Sequence, residues 1–173
     1  MADSLSSLAT ETARFTAVHA ALVTEDEASL TWLVTGAVLM VQQAAVLALS
    51  EAGADLPVLP GPGELVARVA DPADLPQPYT APLKPEDHRA LDRIIAARND
   101  VMHPKPGDLG LHAEDLPDGL MVAVKLVRHL MLTQPVRPSM VEQGDAAEMS
   151  HSLDLIESSV DFWRTVIQSR RGS

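Results

Sequence analysis

Apolar and polar positions along this chain follow a helical period, broken only where glycine and proline cluster. Residues 5–23, "LSSLATETARFTAVHAALV", contain neither Gly nor Pro and are rich in helix formers, so they predict a first helix. Thr24 followed by Glu25-Asp26-Glu27 reads as a cap and an acidic first turn. A second helix is therefore expected over about 25–52, stopping near Gly53. Its middle, Ser29 to Ser50, runs for 22 residues without a charge. That length could cross a bilayer. Acidic flanks, the lack of any Lys or Arg between Arg14 and Arg68, and Gln42-Gln43 within the run point instead to a central helix covered by its neighbours.

The pattern then lapses into a proline-rich connector over 53–85. "GELVARVA" reads as a short helix within it and "GPGE" at 61–64 as a turn. A connector of this length inside one domain is unusual and often functional. Pro85 suits the first position of a third long helix, with Glu86-Asp87 behind it and Met102 near its end. After the loop "HPKPGDLGLHAEDLP", further helices are expected over about 118–133 and 145–169, separated by "QPVRPS". No strand period or internal repeat is visible. The expectation is one all-α domain over 1–173, a bundle of about five helices, with its core over about 5–135 and a C-terminal helix.

On a wheel of the third long helix, Ala90, Leu91, Ile94, Ile95, Ala97, Val101 and Met102 fall in one arc, roughly 20° to 180° from Glu86. Arg98 falls inside that arc and reads as the one charged residue aimed at the apolar side, while Arg89 and Arg93 fall outside it. Two explanations compete. The methylenes can lie on the core while the guanidinium reaches water. Alternatively, this face forms a cleft or subunit interface in which a permanent cation awaits an anion.

Charge sharpens the question. The chain has 173 residues and a net charge of −11, so it should not coat nucleic acid nonspecifically. Yet 84–105 carries five basic residues (Lys84, Arg89, Arg93, Arg98, Lys105) against four acidic ones. A polyanion would be received best there. The chain has no cysteine, which excludes disulfides, thiolate metal sites and a cysteine nucleophile and fits a reducing cytoplasm. The N-terminus lacks the pattern of a secretory signal.

His103 precedes Pro104, and a residue before proline is pushed out of the α region. The helix should end at or just before His103, and a chain leaving there can turn the imidazole toward Arg98. Imidazole works as acid or base near neutral pH, and a guanidinium grips a phosphate by two hydrogen bonds. Together they suit metal-free cleavage of RNA by its own 2′-hydroxyl: a base takes the proton, a cation stabilises the phosphorane, and an acid protonates the leaving oxygen. One Arg and one His do not supply separate acid and base. Two copies across a symmetric dimer would.

Arg98-Asn99-x-x-x-His103, at the end of a bundle helix after two long helices, resembles the HEPN superfamily, whose motif is Arg, a polar residue, three to five others, then His. The resemblance implies an all-α homodimer with the two motifs meeting at the interface, and a metal-independent endoribonuclease, often a toxin or antiviral effector, in some cases paired with an antitoxin. Other members are inactive binding modules. It also implies that Arg98 stabilises the phosphate, His103 does acid/base work and Asn99 orients the site, with Lys105, Arg93 and Arg89 left to attract RNA. Members paired with a nucleotidyltransferase antitoxin carry a tyrosine two places after the histidine. Lys105 stands there, so control by modifying that tyrosine is not expected.

Two other classes compete. A noncatalytic interaction module would use the same helix face for dimerisation. A metal-binding bundle would build on Glu148-x-x-His151, which places two ligands on one helix face, but no second such pair occurs. No cofactor motif is present: neither a P-loop nor a dinucleotide fingerprint appears.

Overall fold

The computed structural model describes residues 5–103 and 113–171. They form six α-helices and no strand: α1 (Leu5–Leu22), α2 (Ala28–Glu51), α3 (Pro62–Val69), α4 (Pro85–Met102), α5 (Pro117–Arg128, widened into a π turn over His129–Thr133) and α6 (Gln143–Arg171). The all-α bundle expected from the pattern is what forms.

α2 is the axle. Leu33, Val34, Ala37, Met40, Ala44, Ala48 and Leu49 are buried along it. It packs against α1 on one flank and against α3, α4 and α5 on the others. It is the one described helix long and apolar enough to cross a membrane, and 67% of its most apolar window is buried within the bundle. Its ends are defined by named bonds. Asp26, not Thr24, closes the N-terminus: its carboxylate accepts from the Ala28 N–H at 3.1 Å and from the Ser29 hydroxyl at 2.9 Å. Thr24 lies too far upstream, because the turn after α1 takes up Glu25 and Asp26 first. At the C-terminus Gly53 has φ +80, Gly53 N–H donates to Ser50 and Ala54 N–H to Leu49. This is a Schellman cap, which needs a residue free to enter the left-handed region.

Two glycines let helices close on one another. A Cβ on Gly36 of α2 would meet Thr16 Oγ1 at 2.3 Å, and one on Gly119 of α5 would meet the Ala90 carbonyl oxygen of α4 at 2.5 Å. α1 turns small residues inward: Ser6, Ala9, Thr10, Thr12, Ala13, Thr16, Ala17 and Ala20 are buried. The hydroxyls of Thr10, Thr12 and Thr16 are satisfied by carbonyls four residues back, at 3.1, 2.9 and 2.7 Å.

The C-terminal helix belongs to the core. Met149, Leu153, Ile156, Val160 and Trp163 join the same buried cluster. Arg128 of α5 bonds both Asp154 and Glu157 of α6, at 2.8 and 2.9 Å.

The connector between α2 and α4 is an ordered strap. "GPGE" opens α3 rather than forming a turn: Gly61 is its N-cap and Pro62 its first residue, where a missing N–H is harmless. Arg68 grips the strap from both sides, donating to the Asp55 carbonyl at 2.8 Å and to Asp74 Oδ1 at 2.7 Å. Ala81 N–H donates to the Val69 carbonyl at 2.8 Å, and the His129 ring meets the Tyr79 carbonyl at 2.9 Å. The strap delivers Lys84 to the start of α4, where Asp87 Oδ2 accepts from its N–H at 2.9 Å.

Gly119→Ala should destabilise the fold by about 1–3 kcal/mol, the usual penalty for overpacking, because the obstruction is backbone and cannot swing aside. Urea unfolding followed by circular dichroism measures it. The Arg68 guanidinium lowers the Asp74 pKa through its hydrogen bond. The clamp is therefore fully present above the ordinary carboxylate range, about 4. It is lost as pH falls through the depressed value. The melting-temperature difference between the wild-type chain and Asp74→Asn should be present at pH 7 and vanish in strong acid.

Candidate functional site

α4 carries the residues singled out by the sequence. Its first half is anchored: Ala90, Leu91 and Ile94 are buried, with Gly119 drawn up against Ala90. Its second half leaves the core. Ile95, Ala97 and Val101 are half-buried and Met102 is exposed, so the apolar arc expected to run through Met102 ends about two turns early. α4 outruns the α5 residues that cover its beginning.

Arg98 lies on this emerging stretch and is half-buried, whereas Arg89 and Arg93 are exposed. It is not the one inward charge on α4. Asp87 is half-buried as well, one turn from the start, where it caps Lys84 and lies 3.8 Å from Lys125 Nζ. On the same wheel Asp87 stands at about 100° from Glu86, inside the apolar arc beside Arg98. Arg98 Nη1 donates to Asn99 Oδ1 at 3.0 Å, which holds the guanidinium at the helix surface.

The helix ends where proline predicts. Met102 is its last residue, and His103 has φ −129 and ψ 65, outside the α region. His103 N–H still donates to the Asn99 carbonyl at 2.9 Å, so Asn99 touches both partners: Arg98 through its side chain and His103 through its backbone. The imidazole is exposed, and no hydrogen bond joins it to Arg98. Lys105 lies outside the described residues.

The charge pattern separates α4 from the rest of the chain. Arg14, Arg68, Lys125, Arg128, Arg137 and Arg164 each sit beside a carboxylate. Among the described residues, no ion pair forms at Arg89, Arg93 or Arg98. A corner with an oriented, unneutralised guanidinium, a nearby amide and a ring on a departing chain can bind a phosphate and exchange a proton with it.

The metal alternative gains nothing. Glu148 and His151 are both exposed on α6, Glu148 is 3.7 Å from Arg14, and the described residues contain no group of three or more His, Asp or Glu suited to a metal ion.

A second surface escaped the reading by helix. α1 is inside out: its buried face is small, while Leu8, Phe15, Val18 and Leu22 are exposed. Phe15 packs edge-on to the His19 ring with centroids 4.5 Å apart, and lies 6.2 Å from Trp32 of α2. The chain has only five aromatic residues, and Phe15, Trp32 and Phe162 are 43%, 51% and 61% exposed. The signal was the seven-residue spacing of 8, 15 and 22, repeated by 32 and 39 on α2 and by 155 and 162 on α6.

Compared with family models, curated proteins and solved structures, the chain matches none.

His103→Ala should change stability by no more than about 0.5 kcal/mol, as for a surface residue without packed neighbours. Arg98→Ala should lower it further, because half-buried methylenes are lost. Thermal melts of both variants test this ordering.

Proposed function

We propose that the end of α4 is the phosphate-handling corner of a HEPN-like, metal-independent endoribonuclease that works in the cytoplasm on a cellular RNA. The observation that carries this reading is Arg98. It is half-buried, without a carboxylate among the described residues, and tied by Asn99 to the backbone turn that releases His103. A guanidinium held in that way is ready for charge that develops on a phosphorane. Its neighbours Arg89 and Arg93 draw the strand along α4, and the acidic remainder of the chain keeps nonspecific RNA away.

One His103 acts as base or as acid, not both at once. In this reading a second copy supplies the other imidazole, so the active species is a homodimer, and an antitoxin-like protein covering the corner would silence it.

A second reading, a noncatalytic dimeric module of the same fold, draws on a different observation. The large exposed apolar surface lies on α1 rather than on α4. Such surfaces mark protein contacts, not phosphate chemistry.

Incubation of the purified protein with mixed RNA in EDTA decides between them. The nuclease reading expects products with 2′,3′-cyclic phosphate ends, and a loss of about 100-fold or more on His103→Ala, the usual contribution of a positioned acid or base. Arg98→Ala should fall comparably. No cleavage by a folded wild-type chain overturns the nuclease and leaves the module.

A further inference from the structure

α1 presents its large side chains to solvent and its alanines and threonines to the core. A helix that ends its folding there would be turned the wrong way round, because burying Leu, Phe and Val is what drives an amphipathic helix onto a core. The outward stripe is Leu8, Phe15 and Leu22 at seven-residue intervals, with Val18 beside it. That is the period of a coiled-coil seam. Grooves of about 430 Å3, toward Trp32 and Leu39, and about 490 Å3, toward Leu155, flank this ridge. With Phe162, these side chains leave on the order of 800 Å2 open across α1, α2 and α6, about what each partner contributes to a standard interface.

We propose that this face is a self-association seam in which α1 of one copy lies antiparallel to α1 of a second, with Phe15 on the two-fold axis. The stripe is self-complementary about Phe15. Leu8 stands seven residues before it and Leu22 seven after, so each meets the other across the axis. Glu11 stands four before and His19 four after, so a carboxylate that its own Arg14 already engages through one oxygen faces an imidazole. His19 Nδ1 is engaged by Ser29 at 3.2 Å, which leaves Nε2 for that contact.

Charge selects the antiparallel arrangement. A parallel pair would stack the two acidic turns, Glu25-Asp26-Glu27, on each other, in a chain already at −11. The antiparallel pair lays each acidic turn at the electropositive N-terminus of the other α1. The ridge of each copy enters a flanking groove of its mate.

The seam stands independently of the chemistry at α4. α1 packs on α2 and α6, and α4 packs on α2, α3 and α5. Joining two copies along α1 does not by itself bring their His103 rings together.

The chain contains no cysteine, so introduced thiols report geometry without background. Sedimentation of the wild-type chain should show a reversible dimer, and Phe15→Asp should weaken it at least ~30-fold while the circular dichroism spectrum is retained. Phe15→Cys should cross-link to itself through a short bis-maleimide. Leu8→Cys and Leu22→Cys should each cross-link poorly alone and efficiently when mixed. Val58→Cys, 96% exposed on the strap, should not cross-link. A wild-type chain that sediments as a monomer at every concentration overturns the proposal, as does a dimer indifferent to Phe15→Asp or efficient self-linking of Leu8→Cys. RNA cleavage enters none of these readouts, so a failure here is distinct from a failure of the nuclease reading.

Discussion

The burial of α2 is the constraint on which everything else rests. A 22-residue run without a charge cannot be left in water, and this chain covers it with its own helices. Each fully buried Leu, Val or Met along it contributes about 1.5–3 kcal/mol of transfer free energy. That sum has to offset the ordering of a long chain. Covering one helix from several directions also fixes where the others can go. α1 takes one flank, admitted close by Gly36, and α4 another, held by Gly119 through α5. The two surfaces with distinctive chemistry are therefore kept apart by the element that both need.

Much of this was legible residue by residue. Pro85 opens a helix, Gly53 closes one, and Pro104 ends α4 at Met102, because each acts through backbone geometry that needs no tertiary context, whereas Pro62 and Pro117 also open helices that the pattern did not start there. What escaped depended on neighbours. Thr24 and Asp26 are both good caps by chemistry, and only the tightness of the preceding turn chose Asp26. The apolar arc of α4 was right in direction but too long, since periodicity says which way a face points and not how far a partner extends. α1 was recognised as a helix, but the seven-residue spacing of Leu8, Phe15 and Leu22 marks a stripe without saying that it faces outward. Its alanines and threonines form the inner face where α2 closes on it, as at Gly36 against Thr16, and that closeness belongs to both helices rather than to α1 alone.

At the proposed site the sequence supplied the identities, and the structure adds Asn99 as the atom-level link between Arg98 and the departing backbone of His103. That link is local, within five residues, and needs no contact from outside α4. A distant third residue completing the corner would have left no comparable mark in the spacing.

The uneven pairing of cations has a consequence for how the molecule meets its medium. Five arginines outside α4 already sit beside a carboxylate, so the surplus negative charge repels itself, while the α4 arginines stay free to attract. Mobile ions screen both over roughly 10 Å at 0.1 M. Added electrolyte thus relaxes the internal repulsion and favours the compact or associated state, and the same ions weaken the pull on any polyanion. Ionic strength moves folding and polyanion capture in opposite directions in this chain.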